Sequence, residues 1–212
     1  MWLMADLGRR WQRILNKMIG YKETFAIIAA GLAIYANWGY LRDVLKGKIK
    51  PHPYTWAIWS IVSAAVFFGQ LQKGAGIGVV PTFFAEIFTV LIFLSSFKHG
   101  FKNIRKVDHF FLVLAVIGLL PWYFTKDPTI SIVIVTIIDL VAFLPTIAKS
   151  WTKPQTENHN FFEVNIIRHI LSLASLQSYN LATVFHSSVM IFANASTPIE
   201  YHFRKNIKKL LK

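Results

Sequence analysis

Apolar residues run along this chain in long blocks, separated by short polar and basic stretches. Several blocks reach the roughly 18–20 residues that cross a bilayer core. The pattern predicts seven spans, at about Thr24–Leu41, Tyr54–Gln72, Gly74–Phe97, His109–Thr125, Pro128–Ala148, Phe161–Leu176 and Tyr179–Pro198. The second span is free of charge. The third is interrupted only by Glu86 and the fifth only by Asp139, both near the middle. The sixth carries Glu163, Arg168 and His169. Before the first span, Trp2, Leu3, Leu7, Trp11, Ile14, Leu15 and Met18 recur at near-helical spacing among basic residues, which suits an amphipathic helix on the membrane surface. A signal peptide is the rival reading, but the apolar run is long for one and no small-x-small cleavage site ends it. The expected organisation is a basic segment at 1–23, a first three-helix bundle at 24–98, a linker with the fourth span at 99–127, a second bundle at 128–198 and a basic tail at 199–212.

Composition supports an all-α membrane protein. The chain is 54% hydrophobic and 16% charged, where soluble domains carry about 25% charge. The net charge of +13 does not argue for nucleic acid, because the Lys and Arg sit between apolar blocks and no basic helix interleaves aromatics. The absence of Cys excludes disulfides, thiolate metal sites and Cys nucleophiles. The loops after spans one, three and five plus the C-terminal tail hold 15 Lys and Arg, against seven on the opposite face. The positive-inside rule then puts the C-terminus in the cytoplasm and the N-terminus outside, although the basic N-terminal segment pulls the other way.

One motif suggests a duplication. Lys50-Pro51-His52-Pro53 lies between spans one and two, and Lys153-Pro154-Gln155 between spans five and six. Aligning them lays span one on five, two on six and three on seven, with span four left over. This is a 3+1+3 parallel repeat of three-helix bundles, an arrangement that transporters use to enclose a midplane site. Such a chain, with Pro-bearing turns and a Pro-Gln pair, resembles the SWEET and PQ-loop superfamily, including SemiSWEET and PnuC-like carriers. The Lys-Pro-His-x-x-x-Trp-x-x-Trp wording is also similar to a group of bacterial membrane proteins. The resemblance implies a small-solute transporter of a bacterial inner membrane, in which Trp56 and Trp59 fill an aromatic role at the solute and Asn194 a polar one. Pro145 resembles the family's helix-breaking prolines. Glu86 stands where the resemblance implies Asn in a sugar carrier.

Other residues carry chemistry by their position. A charge at mid-bilayer costs about 2.5–3.5 kcal/mol, so Glu86 and Asp139 are candidates to face a cavity or exchange a proton, against the plainer reading of a packing carboxyl. Thr82, Glu86 and Thr89 share one helix face. Asn165, Arg168, His169 and Ser172 share another, as do Thr183, Ser187 and Asn194, with His186 beside them. Trp56, Trp59, Ser60, Ser63 and Phe67 form a mixed stripe. Hydroxyls also serve plain helix contacts, and Trp also populates the interfacial belt. Arg168 pairs with an acid, anchors an anion or snorkels to the interface. His169 and His186 are proton relays or core hydrogen-bonding groups. Pro81, Pro121 and Pro145 are candidate hinges. The Gly74–Gly78 run reads as a tight turn, not a phosphate cradle.

No metal site, cofactor or catalytic constellation is expected: His186 and Ser187 are adjacent on a helix and point about 100° apart, against any triad with Asp139. The last span has no Lys for a retinal Schiff base. The partners expected are the lipid bilayer and a small polar solute, moved by alternating access with proton coupling as an option. A non-transporting receptor or scaffold is the alternative, and oligomeric state is open.

Overall fold

The computed structural model describes residues 2–48, 50–100, 106–152 and 159–210. These form eight α-helices: α1 (Trp2–Leu45), α2 (Pro53–Gln72), α3 (Val80–His99), α4 (Lys106–Ile117), α5 (Leu120–Thr125), α6 (Pro128–Thr152), α7 (His159–Ser175) and α8 (Leu181–Leu210). A 3-10 turn, Gly76–Val79, leads into α3.

Among the described residues, four stretches are long and apolar enough to cross a membrane: Gly20–Leu45, Pro53–Gln72, Gly76–His99 and Asp108–Thr125. The seven-span architecture is therefore corrected to four candidate spans, and the 3+1+3 repeat of three-helix bundles built on it falls too. The apolar parts of α6 and α8, Pro128–Val141 and Leu181–Ser196, are shorter than a span. α7 has 17 residues and is broken up by Glu163, Asn165, Arg168 and His169. The physical reason lies at the ends and inside the helices: α8 begins only at Leu181, after the Asn180 cap, and α7 stops at Ser175 with charge inside its 17 residues. The second Lys-Pro copy, Lys153-Pro154-Gln155, lies outside the described residues.

Residues 2–22 are helical as expected, but α1 runs on without a break from that segment into the first span. The fourth span is two helices, because Pro121 has no N–H to continue the ladder and falls at the start of α5. Pro81 likewise sits in the first turn of α3, where a missing N–H costs nothing, so it opens that helix instead of breaking it. Pro145 lies inside α6, which continues through it. The Lys50–Pro53 turn ends where Pro53 takes the first position of α2. His52, the residue before it, is held extended, as a residue preceding Pro must be.

α1 packs against α3 and α3 against α2; α6 packs against α8 and α8 against α7; α1 meets α7 and α2 meets α6 across the middle. The main apolar core joins Ile58, Val62 and Val66 of α2 to Ala115, Ile132, Val135 and Ala182. The outside is also apolar: Ile27, Tyr35, Phe68, Leu94, Phe110, Phe124 and Phe192 are exposed. Such a surface is stable only against lipid, and the chain is a multi-pass helical membrane protein. A groove of about 490 Å3 between α4, α5 and α6 is lined by apolar residues such as Leu114, Phe124 and Ile137.

Three turns meet at one end of the molecule. Gly74 and Gly76 take φ of +79° and +59°, which only Gly adopts without strain, and turn the chain back from α2. Asn180 donates to the Lys73 carbonyl (3.0 Å), and the Gln177 amide donates to the Ala75 carbonyl (3.0 Å). Lys73 Nζ lies 2.6 Å from Asp127 Oδ2. That bond, with those from Thr129, holds the Asp127 carboxyl well below the usual carboxylate range. A depressed pKa means the pair stabilises above the ordinary Asp value of about 3.9 and is lost as pH falls below it. The thermal midpoint of Asp127→Asn should therefore trail wild type by a constant margin from pH 8 to pH 4, closing only below that. A margin that closes between pH 7 and pH 5 would contradict the pairing.

Candidate functional site

The centre of the polar interior is one face of α2. Trp59, Ser63 and Gln70 stand at i, i+4 and i+11 and point the same way. The Ser63 hydroxyl is within reach of the Glu86 carboxyl of α3. The Trp59 indole is within reach of the Asp139 carboxyl of α6, but its Nε1 closes no well-formed hydrogen bond. Gln70, 1% exposed, donates to the Thr183 carbonyl of α8 (3.0 Å) and accepts from the Thr82 hydroxyl of α3 (3.1 Å). A single helix thus links both mid-helix carboxyls and ties three neighbours together.

A second cluster continues from α6. Thr136, one turn before Asp139, lies 3.4 Å from His186 Nδ1 of α8. The His186 and His169 rings are 6.0 Å apart. His169 Nε2 meets Arg168 Nη2 at 2.6 Å, and Arg168 Nε donates to Asn165 Oδ1 at 2.9 Å. Polar groups therefore follow one another from Glu86 on α3, through α2, α6 and α8, to Asn165 on α7. Four buried atoms on this route have no hydrogen-bond partner among the described residues: Trp59 Nε1, Glu86 Oε2, His169 Nδ1 and Ser172 Oγ. An unmet buried polar group costs about 1–3 kcal/mol, so these atoms mark where a polar guest gains most.

Not every candidate joins the route. Trp56 is buried in an apolar cluster with Leu41 and Ile92, its ring 5.0 Å from Tyr40 and 5.0 Å from Trp59. It is a packing residue, neither a belt residue nor one open to a solute. Asn194 turns back on its own helix, donating to the Met190 carbonyl (2.7 Å). Thr89 does the same to Ala85 (2.8 Å), and Ser187 is buried. Asn180 caps the start of α8, its Oδ1 accepting from the Thr183 amide (3.2 Å), and the Thr183 hydroxyl accepts in return from the Asn180 amide (3.0 Å). Arg168 pairs with no carboxylate among the described residues, and it does not snorkel, because its side chain is held by Asn165 and His169.

Sequence reading missed Gln70 and Thr136. Gln70 was visible as a polar residue seven positions beyond Ser63 on the same face. Thr136 had no signal, since a lone Thr in an apolar run is ordinary. Nor did it find the contact between His52 Nε2 and Asp108 Oδ2 (3.5 Å), which pins the Lys-Pro turn to the start of α4. Among the described residues, no three His, Asp or Glu side chains converge as metal ligands. No protein family, curated protein or solved structure matches this chain.

Proposed function

We propose that the chain is a small-solute membrane transporter of the SWEET and PQ-loop type, working by alternating access with proton coupling through Glu86 or Asp139. The observation that supports it is the polar route across five helices, with buried atoms at both ends that lack a partner among the described residues, inside a protein whose main core and outer surface are apolar. Membrane proteins hold such groups inside their helices chiefly where a solute or proton passes. The Lys-Pro turn faces the cytoplasm of a bacterial inner membrane on this reading, following the excess of Lys and Arg on that side.

The test is uptake into proteoliposomes across a panel of sugars, vitamins and organic acids. Glu86→Gln should change uptake of the accepted solute about tenfold or more, the size of a lost hydrogen bond to a charged group, and should flatten its dependence on a pH gradient. Unchanged transport of every accepted solute would make Glu86 structural. A non-transporting receptor is the second reading, favoured by the hydrogen-bonded closure of the turns around Lys73, Asp127 and Asn180. Binding without flux would select it.

A further inference from the structure

Arg168 sits among donors that lack an acceptor. Its guanidinium has five N–H groups and cannot accept. One goes to Asn165 Oδ1 and one to His169 Nε2. Because Arg only donates, His169 Nε2 must be the acceptor of that contact, and the imidazole proton sits on Nδ1. That Nδ1–H is buried and has no partner among the described residues, and neither has the Ser172 hydroxyl, one turn further along α7. Asn165 already accepts from Arg168 and donates its Nδ2 to the Phe161 carbonyl (2.9 Å). Among the described residues no carboxylate balances the guanidinium. The α7 cluster therefore combines one fixed positive charge, a surplus of donors and a shortage of acceptors.

We infer that this cluster is a binding site for a small organic monocarboxylate, its carboxylate held on the free N–H groups of Arg168. The inference rests on the reading of the chain as a solute carrier, and it names the class of solute. A carboxylate supplies what is missing: two acceptor oxygens that match the guanidinium fork and one negative charge. A neutral sugar would meet the donors but leave the cation unbalanced in a low-dielectric interior. A phosphate dianion would bring more charge than one Arg offsets. The neutral His169 adds a donor without a second charge.

The test uses the full-length protein in detergent, with thermal shift read against concentration for propionate and lactate, their neutral amides propionamide and lactamide, ribose and inorganic phosphate. The carboxylates should raise the midpoint and the matching amides should not. Arg168→Gln should weaken carboxylate binding about 10- to 100-fold, the range for a hydrogen bond to a charged group. Arg168→Lys should recover part of it, keeping the charge and losing the fork. Equal binding of acid and amide, binding of ribose or phosphate alone, or no shift with any carboxylate would overturn the site. If neither variant folds, the acid and amide comparison on the wild-type protein decides alone. Flux in proteoliposomes separates the two ideas: carboxylate binding without flux would sink the transporter and keep the anion site, and flux of a neutral solute without carboxylate binding would do the reverse.

Discussion

Replacing Asp139 with leucine is expected to cut solute uptake about 10- to 100-fold while the protein folds as well as wild type or better. The two halves have one cause. Asp139 is 7% exposed, and among the described residues the imperfect approach of the Trp59 indole is what compensates it. Removing a buried, poorly compensated carboxyl and filling its volume with an apolar side chain is often neutral or stabilising. The same change deletes the polar group that stands between the Glu86 end of the route and the histidine cluster, and any charge-assisted hydrogen bond it makes to a passing solute or proton. Proteoliposome uptake and the thermal midpoint should be measured on the same preparation. Asp139→Asn, which keeps the shape and one acceptor, should lie between. Loss of folding together with loss of uptake would make Asp139 a packing residue.

Gly78→Ala is expected to destabilise the protein by about 1–3 kcal/mol, the range for overpacking a filled interior. A Cβ built at Gly78 would lie 2.8 Å from Leu176 Cα and 2.9 Å from Leu176 N. Both are backbone atoms, held where the Gln177 amide bonds the Ala75 carbonyl, so neither can move alone. The turn before α3 would have to part from the turn before α8, loosening the end of the molecule where Lys73 meets Asp127. Gly31→Ala is the control: a Cβ there meets nothing within 4 Å, and the helix should gain up to about 1 kcal/mol. The two midpoints should move in opposite directions. A Gly78 variant as stable as the control would mean that the two turns are not in contact.

Much of the site was legible in one dimension because membrane chemistry makes polar residues rare. Glu86, Asp139 and Arg168 were conspicuous as charges inside apolar runs, and Ser63 and His169 followed from helical spacing. Trp56 misled because a stripe has breadth. Trp56 and Trp59 are three positions apart and both count as one face, yet one turns into Leu41 and Ile92 while the other reaches Asp139. The seven-span count failed for a related reason: hydropathy averages over a window, and the charged and amide side chains inside α7 are diluted within it.

The sequence by itself determined that this chain is helical, apolar and membrane-embedded, that its first two long spans are separated by a Lys-Pro turn, and that two carboxyls and one guanidinium lie inside helices. These follow from composition, from period and from what Pro does to a backbone. Tertiary structure alone decided that α2 carries Trp59 to one carboxyl and Ser63 to the other, that Gln70 ties α2 to α3 and α8, and that Arg168 faces Asn165 and His169 instead of an acid. Which helices become neighbours depends on contacts between residues far apart in the chain, and no local pattern encodes them.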